Sequence, residues 1–153
     1  MTLLKGTIAP DFTLLDETST PRKLTDYRGQ PVVLYFYPKD DTPGCTTEAC
    51  GFRDDYGDYQ QAGVTILGVS PDSPKKHTKF KEKYNLPFTL LADTEHAVCE
   101  LYGVWGRKKF MGREYDGVFR ITYLIGADGV ILQVFENVKP DGHSAEILQV
   151  LEK

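Results

Sequence analysis

Runs of apolar residues alternate with stretches of mixed polarity along this chain and define its elements. The segment 31–38 is almost wholly apolar between two prolines, and 64–70 repeats the pattern after a glycine. Continuous apolar runs of this length predict strands that are buried on both faces of a sheet. Between them, three aromatic residues recur at helical spacing among polar ones, which predicts a helix over 45–61. Strand, helix and strand in succession predict a βαβ unit with two parallel strands.

The rest of the pattern predicts shorter elements of both kinds. The chain therefore belongs to the α/β class, with a central mixed β-sheet flanked by helices on both faces. In such sheets, functional groups gather beyond the carboxyl ends of the parallel strands. The other predicted elements are an edge hairpin over 12–15 and 22–24, helices over 73–84, 94–102 and 144–152, a strand over 89–92, a hairpin over 120–125 and 130–135, and a solvated hairpin over 107–117.

Length, charge and cysteine count narrow the possible classes of protein. The 153 residues predict one domain spanning 1–153. The net charge of −4 argues against sequence-independent nucleic-acid binding, which needs a basic face. No apolar run approaches the roughly 18 residues of a membrane span, and the opening residues lack the apolar segment of a secretory signal. Since the 3 cysteines are an odd number, we expect a cytoplasmic protein in a reducing compartment, where cysteines that act together are redox-active or bind metals.

Candidate chemistry concentrates in the segment 38–50, between the first buried strand and the predicted helix. Cys45 falls at the predicted N-terminus of that helix, where free backbone N–H groups and the helix dipole stabilise an anion. The thiolate is the nucleophilic form of cysteine and the form that peroxide oxidises to sulfenic acid. Thr42 supplies a hydroxyl that can donate and accept at once, and Pro38 stiffens the loop. Taken alone, such a cysteine is as often an inert core residue; its neighbours, with Cys50, argue for chemistry.

The segment resembles the active-site loop of the peroxiredoxins. Pro38-x-x-x-Thr42-x-x-Cys45 has the spacing of that family. The second cysteine five residues on, Cys50, is similar to that of the bacterioferritin comigratory protein (PrxQ) subfamily. Further matching segments extend over nearly the whole chain: Ala9-Pro-Asp-Phe12, Gly68-Val-Ser70, Leu90-Leu-Ala-Asp93, Tyr102-Gly-Val-Trp105 and 117–125.

The resemblance implies a thioredoxin-like fold and a thiol peroxidase that acts on hydrogen peroxide and organic hydroperoxides, without a cofactor. It assigns Cys45 as the peroxidatic cysteine, Thr42 as the hydroxyl that orients the peroxide, and Arg120 as the cation beside the thiolate. Physics agrees with the last role, because a permanent cation steadies the negative charge that develops as the O–O bond breaks. Glu48 is either a partner for an arginine or an acidic residue favoured at a helix start. Thioredoxin, or glutaredoxin, is the reductant that the family implies.

Cys50 poses a mechanical problem for an intrachain disulfide with Cys45. In a continuous helix over 45–61 the two residues are about 7.5 Å apart along the axis and face directions about 140° apart. A disulfide needs Cα atoms within roughly 6.8 Å. We therefore expect Cys50 to capture the sulfenic acid only after the first helical turns unwind. The alternative for Cys50 is a small apolar residue on the buried face of the helix.

Two other classes of protein remain as alternatives. A thiol–disulfide oxidoreductase would use the same fold, but its usual Cys-x-x-Cys is absent. A metal-binding module would draw on His96 and Cys99, whose spacing can share a metal, but no further pair completes four ligands. We therefore expect no metal and interpret Cys99 as a bystander thiol. His77 and His143 are predicted to lie on the solvated surface. The relay needs only one chain, which favours a monomer.

Overall fold

The computed structural model describes residues 2–152. Those residues form nine strands: β1 (Thr13–Asp16), β2 (Pro21–Lys23), β3 (Val32–Phe36), β4 (Thr65–Ser70), β5 (Thr89–Ala92), β6 (Trp105–Phe110), β7 (Arg113–Val118), β8 (Ile121–Ile125) and β9 (Ile131–Phe135). They also form five α-helices: α1 (Pro43–Asp54), α2 (Tyr56–Gln61), α3 (Pro74–Tyr84), α4 (Ala97–Leu101) and α5 (His143–Leu151), with a 3-10 turn over Leu24–Tyr27.

Seven of the strands form one mixed sheet in the order β2-β1-β5-β4-β3-β8-β9. Strands β3, β4 and β5 run parallel, which confirms the predicted βαβ unit. Strand β8 pairs antiparallel with β3, and β1 with β5. The remaining strands, β6 and β7, pair with each other as a separate hairpin, as the charged segment 107–117 predicts. The carboxyl end of β3 leads directly into the segment 38–42 and the start of α1.

Strand β3 is buried on both faces and divides the core in two. All five of its residues are buried. Alternate side chains point to opposite faces of a sheet, and both faces are covered here. Leu34 packs with Cys99 in one apolar cluster, together with residues of α4. Tyr35 packs with Cys45 in the other, together with residues of α1, α2, α3 and α5. The predicted sheet flanked by helices on both faces is confirmed.

The helix predicted over 45–61 is wrong as one continuous element. The structure breaks it at Asp55, which ends α1 with φ −95° and ψ 5° before α2 begins at Tyr56. The aromatic spacing continues across the break, but acidic residues at the end of a helix oppose its dipole. Gly57 further weakens helix at this point. The helix predicted over 94–102 is also shorter, because α4 spans only Ala97–Leu101.

Two histidines expected on the surface are buried instead. His77 is wholly buried in α3, and His143, the first residue of α5, is 2% exposed. His77 lies 2.6 Å from the carboxylate of Asp40, and His143 lies 2.8 Å from the hydroxyl of Thr122. Both partners are distant in the sequence, and burial is tolerated because the ring nitrogens find polar partners.

No helix within residues 2–152 combines the length and the apolar character needed to traverse a lipid bilayer.

Gly68 in β4 offers a test of the packing on the second face of the sheet. A Cβ at this position would lie 2.9 Å from side-chain atoms of both Tyr35 and Leu90, its neighbours on the adjacent strands. We expect Gly68→Ala to lower the free energy of unfolding by about 1–3 kcal/mol through overpacking. The matched control is Gly57→Ala in α2, where a Cβ meets nothing within 4 Å and should add about 0.5–1 kcal/mol. Urea denaturation of both variants measures the difference; equal stabilities would contradict this view of the core.

Candidate active site

Cys45 lies in the first turn of α1, at the carboxyl end of β3. Thr42 precedes the helix with an extended backbone, and Pro43 is its first residue, a position where the fixed φ and missing N–H of proline suit a helix. The Thr42 carbonyl accepts from the Thr46 N–H at 2.8 Å. Cys45 is 1% exposed. Its sulfur therefore sits in the core, close to the N–H groups that a helix start leaves unpaired.

Arg120 contacts the sulfur of Cys45 directly. Its Nη2 donates to Cys45 Sγ at 3.4 Å, and its Nη1 donates to Glu48 Oε1 at 2.7 Å. Sequence reasoning placed Arg120 just inside a strand; the residue instead immediately precedes β8. Because Ile121 pairs with Phe36, this position lies beside the carboxyl end of β3. The guanidinium thus meets the start of α1 although it is 75 residues away in sequence.

Gly44 allows the guanidinium to approach the helix so closely. A Cβ on Gly44 would lie 3.1 Å from Arg120 Nη2 and 3.5 Å from Pro140 Cγ. Any side chain here would compete with the arginine for the space over the first turn. A glycine at position 44 is therefore a steric condition for the contact between Arg120 and Cys45.

Glu48 is the arginine partner, which decides between its two interpretations. The residue is 1% exposed on the buried side of α1. Burial raises the pKa of its carboxyl to about 7, although the Arg120 charge and hydrogen bond act in the opposite direction. Within the described part of the chain, its Oε2 accepts no hydrogen bond from a protein group. The carboxylate therefore orients the guanidinium while paying a desolvation cost.

Thr42 and Pro38 lie at the two ends of the segment 38–42, before the helix that carries Cys45. The Thr42 hydroxyl donates to the Lys39 carbonyl at 2.9 Å, so its single proton is engaged and its lone pairs can accept. Pro38 is half-buried just past β3. The structure thus brings Arg120 and Glu48 to Cys45 and places Thr42 at the helix cap beside it.

Cys50 lies on the same helix as Cys45, five residues further on. It is half-buried, and α1 runs unbroken through both residues. Within residues 2–152 all the cysteines are free thiols. An intact helix separates residues at this spacing by about 7.5 Å along its axis, with side chains about 140° apart, beyond the reach of a disulfide.

Cys99 and His96 lie apart from this site. Cys99 is fully buried on the opposite face of the sheet from Cys45, and burial together with the Asp93 carboxylate raises the pKa of its thiol. His96 binds the Glu100 carboxylate at 3.2 Å and stacks on Trp105 with ring centroids 4.0 Å apart. Cys99 is therefore packed as a core residue.

Lys108 is a second cation near the site that sequence reasoning missed. Its Nζ donates to the Val118 carbonyl at 2.8 Å and lies 6.0 Å from the Phe119 ring centroid. Burial and the charge of Arg120 lower the pKa of Lys108, while Cys45 acts in the opposite direction. The sequence gives no signal that Lys108 lies near the site, because its neighbours Arg107 and Lys109 are also charged and the segment resembles a solvent-exposed strand.

Glu48 predicts a measurable dependence of stability on pH. Its pKa is about 7 in the folded protein against an ordinary 4.5, so the folded state binds this proton more tightly than the unfolded chain. Ionising Glu48 therefore weakens folding as pH rises from about 4.5 to about 7. Relative to Glu48→Gln, the free energy of unfolding of the wild type should fall across this window by up to about 1.4 kcal/mol per pH unit. Urea denaturation at a series of pH values measures the slope.

The control for this experiment is Glu114→Gln, which changes an exposed carboxylate that pairs with Arg107 on the hairpin. Its stability curve should run parallel to that of the wild type. A Glu48→Gln curve that also ran parallel would contradict the raised pKa.

Comparison with known proteins gives the chain a family. Residues 5–134 match the model of the AhpC/TSA family. Peroxiredoxin Bcp of Escherichia coli (strain K12) is 50% identical over 151 residues, which cover 99% of this chain and 97% of the relative. Peroxiredoxin Bcp of Bacillus subtilis (strain 168) is 51% identical over 151 residues, 99% of this chain and 96% of the relative.

A solved structure agrees in fold as well as in sequence. A cysteine-to-serine mutant of PrxQ from Xylella fastidiosa superposes with a TM-score of 0.94 at 35% identity, covering 99% of this chain and 97% of that one. The implied thioredoxin-like fold is thereby confirmed. A family model over most of the chain, relatives at half identity and the shared fold agree: this chain belongs to the AhpC/TSA family and is a peroxiredoxin of the Bcp/PrxQ type, an enzyme that reduces peroxides with a thiol.

Proposed function

We propose that Cys45 is the cysteine that peroxide oxidises, that Cys50 captures the product as an intrachain disulfide, and that thioredoxin or glutaredoxin reduces it. The substrates are hydrogen peroxide and organic hydroperoxides. The observation that carries the proposal is the contact of 3.4 Å between Arg120 Nη2 and Cys45 Sγ at the N-terminus of α1. A thiolate there is stabilised by a permanent cation and by helix N–H groups together.

In the first step, the Cys45 thiolate attacks one oxygen of the peroxide and the O–O bond breaks. The sulfur is oxidised to a sulfenic acid, and the other oxygen leaves, with a proton, as water or an alcohol. Arg120 steadies the negative charge that spreads from the sulfur to the leaving oxygen. The Thr42 hydroxyl, whose proton is engaged by the Lys39 carbonyl, accepts from the O–H of the peroxide and so orients it.

In the second step, the Cys50 thiolate attacks the sulfenic sulfur, the S–O bond breaks and a disulfide forms. The hydroxide that leaves takes up a proton, equivalent to the one that the Cys50 thiol released, and becomes water. Because the helix holds the two cysteines out of reach of each other, α1 must unwind first from Pro43 through Gly51, so that the backbone on both sides of Cys50 can turn. An external dithiol then reduces the disulfide and α1 winds up again.

The same relay bears on the assembly and location of the enzyme. Both cysteines belong to one helix of one chain, so residues 1–153 can complete the cycle as a single domain and a monomer. Keeping the reduced thiols ready for peroxide requires a reducing compartment, which supports a cytoplasmic location. Sedimentation equilibrium of the reduced enzyme should give the mass of one chain.

Serine substitutions separate the two cysteines. Cys45→Ser should abolish peroxide consumption, because the nucleophile is lost. Cys50→Ser should keep the first step and turn over with a small thiol reductant. One equivalent of peroxide should remove two hydrogen atoms from the wild type, and peptide mapping should join Cys45 to Cys50. Cys99→Ser, a change on the opposite face of the sheet, should leave the rate unaltered; peroxide consumption that survived in Cys45→Ser would sink the assignment.

Gly51→Ala tests whether unwinding limits the second step. A Cβ on Gly51 makes an ordinary contact at 3.8 Å with Ser144, so alanine stabilises the intact helix by about 1 kcal/mol. Disulfide formation should slow by about fivefold at that energy, while oxidation of Cys45 by peroxide keeps its rate. Stopped-flow fluorescence and rapid acid quenching follow the two steps. Gly57→Ala, in α2, should change neither; an unaltered rate of disulfide formation in Gly51→Ala would contradict unwinding through that residue.

A further inference from the structure

The loop between β3 and α1, residues 37–42, is anchored by a buried polar network centred on Asp40. Asp40 is 9% exposed. The Tyr37 hydroxyl donates to its Oδ1 at 2.6 Å, and its own N–H donates to Asp72 Oδ2 at 2.7 Å. Its Oδ2 lies 2.6 Å from His77 Nδ1. The N–H and Oδ2 of Asp40 thus have partners outside the loop, on Asp72 and His77, while Oδ1 has its partner at the start of the loop. These bonds together fix the position and orientation of Asp40.

His77 connects this loop to the sheet. Its Nε2 lies 2.9 Å from the Leu91 carbonyl in β5. A carbonyl oxygen can only accept, so Nε2 carries a hydrogen. One further proton must then lie between Nδ1 and the Asp40 carboxyl, since two lone pairs cannot face each other at 2.6 Å. The wholly buried imidazole therefore joins β5 to the loop through both of its nitrogens.

The position of Asp40 is transmitted to the catalytic groups over two residues. The Lys39 carbonyl, adjacent to Asp40, accepts the Thr42 hydroxyl at 2.9 Å. Thr42 in turn caps α1, three residues before Cys45. A shift of Asp40 would therefore turn both the hydroxyl that meets the peroxide and the helix start that holds the sulfur.

A second attachment of the loop is weaker. Asp41 accepts from Lys83 Nζ at 2.8 Å and from the Tyr84 hydroxyl at 2.7 Å, both from α3. These bonds are exposed to solvent, where such pairs contribute little. The buried bonds of Asp40 therefore set the geometry of the loop, and His77 supplies the side-chain partner from outside it that also reaches the sheet.

We propose that His77 is a positioning residue for peroxide reduction: by holding Asp40, it keeps the segment 38–42 in the geometry in which Thr42 and Cys45 meet the peroxide. The proposal rests on the proposed roles of Cys45 and Thr42. The attached loop also forms a fixed point from which α1 unwinds and to which it returns. Attack on peroxide needs the geometry that His77 maintains, whereas capture by Cys50 takes place after Cys45 has moved away from the loop with the unwound α1.

Two substitutions of His77 each remove one of its two hydrogen bonds and keep the other. In His77→Asn the amide nitrogen takes the place of Nδ1 and can still donate to Asp40, while the bond to Leu91 is lost. In His77→Gln the amide nitrogen takes the place of Nε2 and keeps the bond to Leu91, while the bond to Asp40 is lost. Each variant gives up one buried hydrogen bond, but only the glutamine variant removes a hydrogen bond from the loop.

The measurement is the rate constant for oxidation of reduced enzyme by hydrogen peroxide, with the rate of disulfide formation followed in the same samples. His77→Gln should oxidise about tenfold more slowly, as expected when reacting groups lose their alignment, with no slowing of disulfide formation. His77→Asn should keep most of the wild-type rate. A general loss of stability would slow oxidation equally in the two variants, and it would not slow oxidation while leaving disulfide formation unchanged. Equal oxidation rates in the two variants would overturn the proposal.

A second pair of variants applies if His77→Gln does not fold. Tyr37→Phe removes the other side-chain donor to Asp40, and Tyr59→Phe removes an equally buried hydroxyl that donates to the Ser144 carbonyl away from the loop. Tyr37→Phe should oxidise several-fold more slowly than Tyr59→Phe, and equal rates would again overturn the proposal. The Cys45→Ser variant separates failure of the proposed function from failure of the His77 proposal. Peroxidase activity in Cys45→Ser would contradict the proposed function itself. Equal oxidation rates in the His77 variants, with no activity in Cys45→Ser, would contradict only the role of His77.

Discussion

The site depends on one guanidinium that contacts two acidic side chains at once. Arg120 reaches Cys45 Sγ with one nitrogen and Glu48 Oε1 with the other, and Gly44 leaves the space for it above the first turn of α1. Two negative groups on one helix turn would repel each other in a buried site. The arginine makes them compatible, and the desolvated carboxylate fixes the plane of the guanidinium against the sulfur. The sheet contributes by placing the end of β3 beside the start of β8.

In the proposed relay, the same helix has to be intact for the first step and unwound for the second. Cys45, Ala49 and Phe52 bury one side of α1 in the core, which stabilises the intact helix. Yet Gly44 and Gly51 lie inside α1 and lower its intrinsic stability. Packing rather than helix propensity thus holds the helix together, and a chemical change at the sulfur acts directly on that packing. In the proposed relay, the buried network around Asp40 would confine the unwinding to the residues that follow Thr42.

Sequence reasoning succeeded where a signal was local and failed where it depended on distant contacts. The apolar runs of β3 and β4 and the spacing around Cys45 each lie within a few residues, and the strands, the fold class and the contact with Arg120 followed from them and from the family resemblance. His77 was predicted to be solvated because its partner Asp40 is 37 residues away. Glu48 stayed undecided for the same reason. The break at Asp55 has no signal in the hydrophobic pattern, because the aromatic spacing continues across it.

The placement of Cys99 gives the sheet a protective role if Cys45 and Cys50 act as proposed. Cys45 and Cys99 pack on opposite faces of a continuous layer of hydrogen-bonded backbone. In the proposed relay, local opening of α1 would free Cys45 on one side of the sheet only, and the third sulfur would stay shielded on the other. Mispairing would require the layer itself to come apart. The molecule can therefore retain a spare thiol in its interior without risking a wrong crosslink, because the strands act as a partition between the two sulfurs.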